Sequence, residues 1–498
     1  MSANHRSGRD HTGIDILDDL EKSKKCKKCI FRVPNVLWRQ NPAAYTPDVV
    51  SIGPFHHYRK KRGKKEGNGE KYFQLMERVK TSYLKEILTV TGTEIKNLEV
   101  LTAEVIMLSD QKNEGEFEQR EREFDQRARE FYAEPLRHIP SKDFIEMMIV
   151  DGCFLIQLFR KCNDPKLRAF DDPVFNMDCM FHFLCHDILL LENQLPWFVI
   201  HILYDLTHDI YPDEASLSIL IMTALSILPS LKQSCSSYNK HLRRNNCHFA
   251  ADYLHILDLI RSSIVIPSGT KAVGKESMSN PEEHEVDSGN KHERNNKVVH
   301  EATIDPDSHQ IRTATTLSKA DIKFESVEKE SIMDIHFETG GCIRNGILKI
   351  PLLNVGMSSE TLFRNLIAIE QCYHGYSNEV TSYAIFMDNL ISSKEDMELL
   401  CKQKVIGNLM SDEDGCKFFS NLYKDIPHNK FSHNKFYYSA LCKQVNDRYQ
   451  LRRYTWLALL KIEKFSNPWR LLAFGIAIIA LFLTSWSSAN NIRVNWHK

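Results

Sequence analysis

Apolar residues recur at three- and four-residue steps along most of this chain, and that period predicts a mainly α-helical protein. Tyr72–Thr89 sets Leu75, Met76, Val79, Tyr83, Leu84, Ile87 and Leu88 on one face and charge on the other, the pattern of an amphipathic helix. Glu114–Glu134 is dense in Glu and Arg, with Phe117, Phe124 and Phe131 at every seventh position, which predicts a solvated helix with one narrow buried seam. Phe144–Phe159, Ala215–Leu228 and Ala250–Val265 continue the helical pattern. Ile188–Leu206 is a second apolar stretch, but it contains the adjacent polar groups Glu192, Asn193 and Gln194 and the helix breaker Pro196, so it reads as a buried, kinked helix rather than a membrane span.

Three stretches break the helical pattern. Pro34, Pro42 and Pro47 keep Ile30–Ile52 extended between short turns. Ile332–Phe337 and Ile347–Leu353 flank Gly340-Gly341 and predict a small β-hairpin. Pro267–Lys323 holds no Phe, Trp or Tyr and is rich in polar residues, the composition of a disordered internal linker. The expected organisation is a basic disordered tail over 1–28, a helical N-terminal lobe over 29–266, that linker, and a second lobe over 324–464 with short strands and four further helical stretches.

Leu471–Ile492 carries no charge, and about 20 helical residues suffice to cross a bilayer, so 471–492 predicts a C-terminal transmembrane helix. Pro468, Trp469 and Arg470 would mark its membrane interface. Arg452, Arg453, Lys461, Lys464 and Arg470 precede the span and only Arg493 and Lys498 follow it, which predicts a cytoplasmic body on a single-pass plasma-membrane or endomembrane anchor. The lipid bilayer would then be one partner. The first thirty residues show no apolar core segment, so no secretory signal is expected.

Composition narrows the function. Sixty-four basic residues balance 65 acidic ones, and a net charge of -1 gives no reason to expect a nucleic-acid partner. Thirteen scattered cysteines lack the spacing of a disulfide framework, and no asparagine stands in an N-glycosylation acceptor, both of which argue against a secreted ligand. There is no nucleophile elbow, phosphate-binding loop, dinucleotide turn or zinc-protease helix, so no cofactor and no enzymatic activity are expected.

Some residues nonetheless carry candidate chemistry. Cys179, His182, Cys185 and His186 sit at three- and four-residue steps that could gather zinc ligands, although the apolar residues between them favour core packing. Cys26 and Cys29 form a lone pair without partner ligands. Asp151 and Glu192 lie in apolar surroundings, and with His56 they would make an acid–base site if folding joined them in one pocket. Their polar neighbours point instead to structural hydrogen bonding.

Four blocks carry a resemblance. Ile30-Phe31-Arg32-Val33-Pro34 leads to Asn41-Pro42, Tyr45, Pro47 and then Gly53-Pro54-Phe55-His56-His57. Met147–Phe154 contains Asp151-Gly152; Asp187–Pro196 contains Glu192-Asn193-Gln194 and Pro196; Asn467-Pro468-Trp469 closes the series. In order and spacing these resemble the plant domain of unknown function 247 family, also called uncharacterised protein family UPF0481-like, over residues 29 to 490. The resemblance implies a plant protein with a helical body, one C-terminal membrane helix and no established enzymatic activity. Some grass members resemble self-incompatibility determinants, which implies recognition of an unknown protein partner or a part in signalling.

Overall fold

The computed structural model describes most of residues 28–265 and 310–450, together with 472 and 475–486. Residues 1–27 of the expected tail over 1–28, most of the expected linker (residues 267–309) and the interface residues Pro468, Trp469 and Arg470 lie outside the described residues.

One long helix organises the N-terminal half. Numbering in chain order, the half contains α1 (Asn35–Trp38), a 3-10 turn (Pro42–Tyr45), α2 (Pro54–His57), α3 (Asn68–Val90), α4 (Leu98–Ser109), α5 (Phe117–Glu130), α6 (Ser141–Asn163), α7 (Met180–Ile188), α8 (Trp197–His208), α9 (Leu217–Leu225), α10 (Lys232–Asn245) and α11 (Ile256–Val265). Most of α6 from Phe144 to Lys161 is buried, and it is sheathed by α3, α4, α5, α8 and α9. Asp143 in its first turn and Arg160 and Lys161 in its last complement the helix dipole. Gly152 lets α8 approach closely, because a Cβ there would stand 2.4 Å from Leu203 Cδ1. The expected seam on α5 has Phe124 buried and Phe131 partly buried, both against Phe198, while Phe117 is exposed.

The second half contains α12 (Ala314–Lys319), β1 (Ile322–Val327), β2 (His336–Glu338), β3 (Gly346–Pro351), β4 (Leu353–Val355), α13 (Met357–Cys372), α14 (Glu379–Leu390), α15 (Lys394–Lys402), β5 (Ile406–Asn408), α16 (Asp412–Leu422) and α17 (Ser439–Gln450). β2 runs antiparallel to β3, with Phe337 opposite Leu348. β1 pairs parallel to the other edge of β3, giving the order β1-β3-β2. β4 and β5 form a separate parallel pair. α12 and the start of β1 fall within residues read from composition as linker. Ile311, Ala314 and Leu317 are buried there, and Asp396 accepts Thr315 N–H at 2.7 Å. A single continuous apolar cluster runs through both halves.

Two expectations are corrected. The stretch read as a kinked helix over Ile188–Leu206 is broken: α7 stops at Ile188, α8 starts at Trp197, and 189–196 is a buried loop. Its polar side chains hydrogen-bond the backbone locally and thereby compete with helix formation.

The transmembrane expectation is also overturned, because no described helix is long and apolar enough to cross a membrane. Crossing a hydrocarbon core of about 30 Å takes about 20 helical residues, and within 471–492 the described residues are 472 and 475–486. A single-pass anchor, and the placement of the body relative to it, therefore have no support in this fold.

Candidate functional site

The residues of the first three blocks converge on one buried polar clamp that holds the segment 28–57, the N-terminal hook, against α6 and the 189–196 loop. The hook enters beside α5: Cys29 and Ile30 N–H donate to Phe131 O at 3.0 and 2.9 Å, and Ala133 N–H donates to Ile30 O at 2.9 Å.

Asp187, at the end of α7, accepts the backbone N–H groups of Asp48, Val49 and Val50, each at 2.8 Å. Asn193 Oδ1 accepts Ile52 N–H at 2.7 Å, and its amide donates to Val50 O and Asp187 O. Asp151, from the middle of α6, accepts Gly53 N–H at 2.8 Å and stands 2.6 Å from Lys80 Nζ. Lys80 in turn donates to Ser51 O. Extended loop backbone cannot satisfy its own N–H and C=O groups, and these side chains do it instead.

Gly53 is the pivot of the hook. Its φ is +69°, in the left-handed region, and a Cβ would stand 2.8 Å from Gln194 O. Gln194 ties the loop to the rest of the body: its amide donates to Ile188 O and Leu190 O, and its Oε1 accepts Leu257 N–H from α11. Tyr132 OH donates to Gln194 O.

Glu192 closes the outer edge. Its Oε1 accepts Val33 N–H at 2.9 Å, and its Oε2 lies 3.0 Å from Arg32 Nη1 and 3.3 Å from His56 Nε2. Burial pushes the Glu192 carboxyl up, but His56, the Val33 N–H and Arg32 together outweigh it and hold the group below its usual range. Arg32 also stacks over the Phe55 ring, 4.5 Å from its centroid, and donates to Phe55 O.

The Lys80–Asp151 pair is fully enclosed. Burial pulls the Lys80 ammonium down, and Asp151 and Glu77 overcome it and hold the group above its ordinary value. Burial raises Asp151, and Lys80 and the Gly53 N–H counter this only in part.

Among the expected site residues, His56 and Glu192 meet directly, whereas Asp151 is bonded to Lys80 and Gly53 rather than to either of them. Phe31 is partly buried against Tyr373, with ring centroids 6.5 Å apart. Pro34 precedes α1 as its cap, and Asn41 caps the turn that Pro42 opens. Asn41 also donates to Glu360 Oε1 at 2.9 Å. Tyr45 is buried, which pushes its hydroxyl up to about 12. Pro47, Pro54 and Pro196 are buried and His57 is half-buried.

The candidate zinc residues Cys179, His182, Cys185 and His186, for which core packing is the favoured reading, do not form a ligand group among the described residues. Cys185 is buried, while Cys179 and His182 are exposed. Among the described residues one group has metal-ligand spacing, Asp48, His186 and Asp187. Both oxygens of Asp187 already serve three backbone N–H groups, and His186 Nδ1 stands 2.9 Å from one of them, so hydrogen bonding accounts for that group without an ion. The described cysteines are all free thiols.

Lys80 and Asn365 escaped the reading of the sequence. Lys80 falls at helical spacing among Met76, Val79 and Tyr83 on the apolar face of α3, and a charge there signals a buried partner. Asn365 sits in an apolar run of α13. It accepts Leu191 N–H at 2.9 Å and donates to Ala44 O and Thr361 O, so one side chain joins the loop, the hook and the second half.

A family model described as a plant protein of unknown function, DUF247, matches residues 30–483 and so takes in the hook, the loop and both halves. The chain belongs to the DUF247 family. An Arabidopsis thaliana UPF0481 protein is 28% identical over 475 residues, covering 94% of this chain and 87% of that one. A putative UPF0481 protein of the same plant is 26% identical over 176 residues, covering 35% of this chain and 32% of that one. No solved structure matches this DUF247 chain.

Proposed function

We propose that this DUF247 protein is a non-catalytic recognition module that acts by binding another protein. Its narrower form is recognition of the self-incompatibility or signalling kind. The observation that carries the reading is the use to which the family-block side chains are put. Asp151, Glu192 and Asn193, groups suited to acid–base or polar chemistry, are engaged in fixing the hook, and Gln194 ties the loop to α11.

A clamped hook presents a pre-organised surface, which lowers the ordering cost of binding. Its outer helix α1 exposes Val36 and Trp38, the latter a residue type enriched at interface hot spots. Met107 and Leu108 at the end of α4 and Phe117 at the start of α5 are exposed as well.

The test is to recover a partner by proximity labelling with the full chain and to reconstitute the complex from purified components. Saturable binding that weakens at least tenfold in Val36→Asp/Trp38→Asp, with unchanged thermal stability, supports the reading. If no labelled protein binds saturably when purified, the reading is wrong.

A further inference from the structure

Where the hook meets α13 and α16, an open cavity of about 530 Å³ is lined by three cations, Arg39, Arg364 and Lys424, and one carboxylate, Glu360. The charges sum to 3 - 1 = +2. Glu360 is already engaged, because its Oε1 accepts Asn41 Nδ2 at 2.9 Å and Arg364 Nε at 2.8 Å. Arg364 is only 3% exposed, and its Nη1 donates to Gln40 Oε1 at 3.1 Å, so its guanidinium is fixed in place. Arg39 and Lys424 are exposed and reach the cavity from opposite halves of the chain, one following α1 and the other following α16.

We propose that this groove binds a small soluble molecule bearing a phosphate or diphosphate group. A doubly charged oxyanion neutralises the excess positive charge of the lining. Guanidinium forks match phosphate oxygens in pairs, and lysine adds a point charge. The Asn421 side chain lines the same space and supplies a neutral polar group. The volume lies within the range of roughly 300–1,000 Å³ usual for small-molecule sites. Because the walls come from residues 39–41 and from 360–424, a bound anion ties the hook to the second half and raises the stability of the folded chain. The inference stands apart from the protein-partner reading, and either can fail alone.

The test uses the full chain with sodium pyrophosphate as the probe, followed by calorimetry and thermal melting, against sodium chloride at matched ionic strength. Wild type should show saturable binding and a rise in Tm beyond the salt control. Arg39→Ala/Lys424→Ala should weaken binding at least tenfold while leaving the ligand-free Tm unchanged. Absence of a saturable effect, or an equal effect in the double variant, overturns the proposal. A phosphoserine peptide that binds at least tenfold more tightly than pyrophosphate overturns its small-molecule form. Pyrophosphate binding by a chain that captures no protein partner would sink the preceding reading and leave this one standing.

Discussion

Two charged regions touch the same N-terminal hook and are built to opposite ends. In the clamp, Asp187, Asp151, Asn193 and Glu192 accept backbone N–H groups or close cations, in surroundings sealed from water. In the seam groove, exposed Arg39 and Lys424 line an open cavity together with Glu360, which is bonded to Asn41 and Arg364. The difference teaches where a buried polar group contributes to the fold and where an exposed one is available to a ligand. Removing a partner inside the clamp strands a desolvated group, whereas removing the exposed Lys424 takes away a solvated one.

The largest effect is expected at the enclosed ion pair. Asp151→Ala leaves the Lys80 ammonium buried without its main counter-charge and should destabilise the chain by about 3–5 kcal/mol, read as a lower urea midpoint. A loss below about 1 kcal/mol would show that the pair does not hold the hook.

Acid should loosen the loop's neighbour next. His255 is fully buried at the start of α11, its Nδ1 accepts Asp258 N–H at 3.2 Å, and burial pushes its pKa down to about 4. The unfolded chain binds a proton near pH 6.5 and the folded chain does not until about pH 4. The contribution of His255 is therefore fully present above pH 6.5 and is lost as pH falls toward 4, about 3 kcal/mol at 1.36 kcal/mol per pKa unit. Denaturation midpoints measured from pH 7 to pH 4 should fall less steeply in His255→Gln than in wild type. Parallel profiles would rule the residue out as a source of acid sensitivity.

Asn365→Ala should cost about 1–3 kcal/mol by leaving Leu191 N–H and Ala44 O unsatisfied. It should also speed hydrogen exchange at Leu191 more than at α6, and uniform acceleration would mean that the side chain does not specifically lock the loop. At the smallest end, Arg39→Ala and Lys424→Ala should each change stability by no more than about 0.5 kcal/mol, since both are exposed. A loss of 2 kcal/mol or more in either melt would erase the contrast between groove and clamp.

The helices were legible where a long periodic pattern faced one core. Tyr72–Thr89 lies within α3, and Phe144–Phe159 lies within α6. Composition misjudged Gln310–Lys323, because a few buried apolar residues, Ile311, Ala314, Leu317, Ala320 and Ile322, suffice to dock a short helix and the start of a strand on a surface already formed by other elements. The uncharged run at 471–492 met the length criterion for a span as a string of letters, yet no described helix is long and apolar enough to cross a membrane. The parallel pairing of β1 with β3 and of β4 with β5 leaves no local signature, because the partners are joined by long connections.

By itself, the sequence determined the long periodic helices such as α3 and α6, which residues belong to the family blocks, and that polar groups such as Asp151, Glu192 and Asn193 would need partners. Only the tertiary structure decided who those partners are. Glu192 meets Val33 across 159 positions, Asp187 meets Val50 across 137, and Asn365 meets Ala44 across 321. Helical periodicity follows from local backbone geometry and is written within a few residues, whereas the satisfaction of a buried hydrogen-bonding group depends on what the fold brings within 3 Å of it.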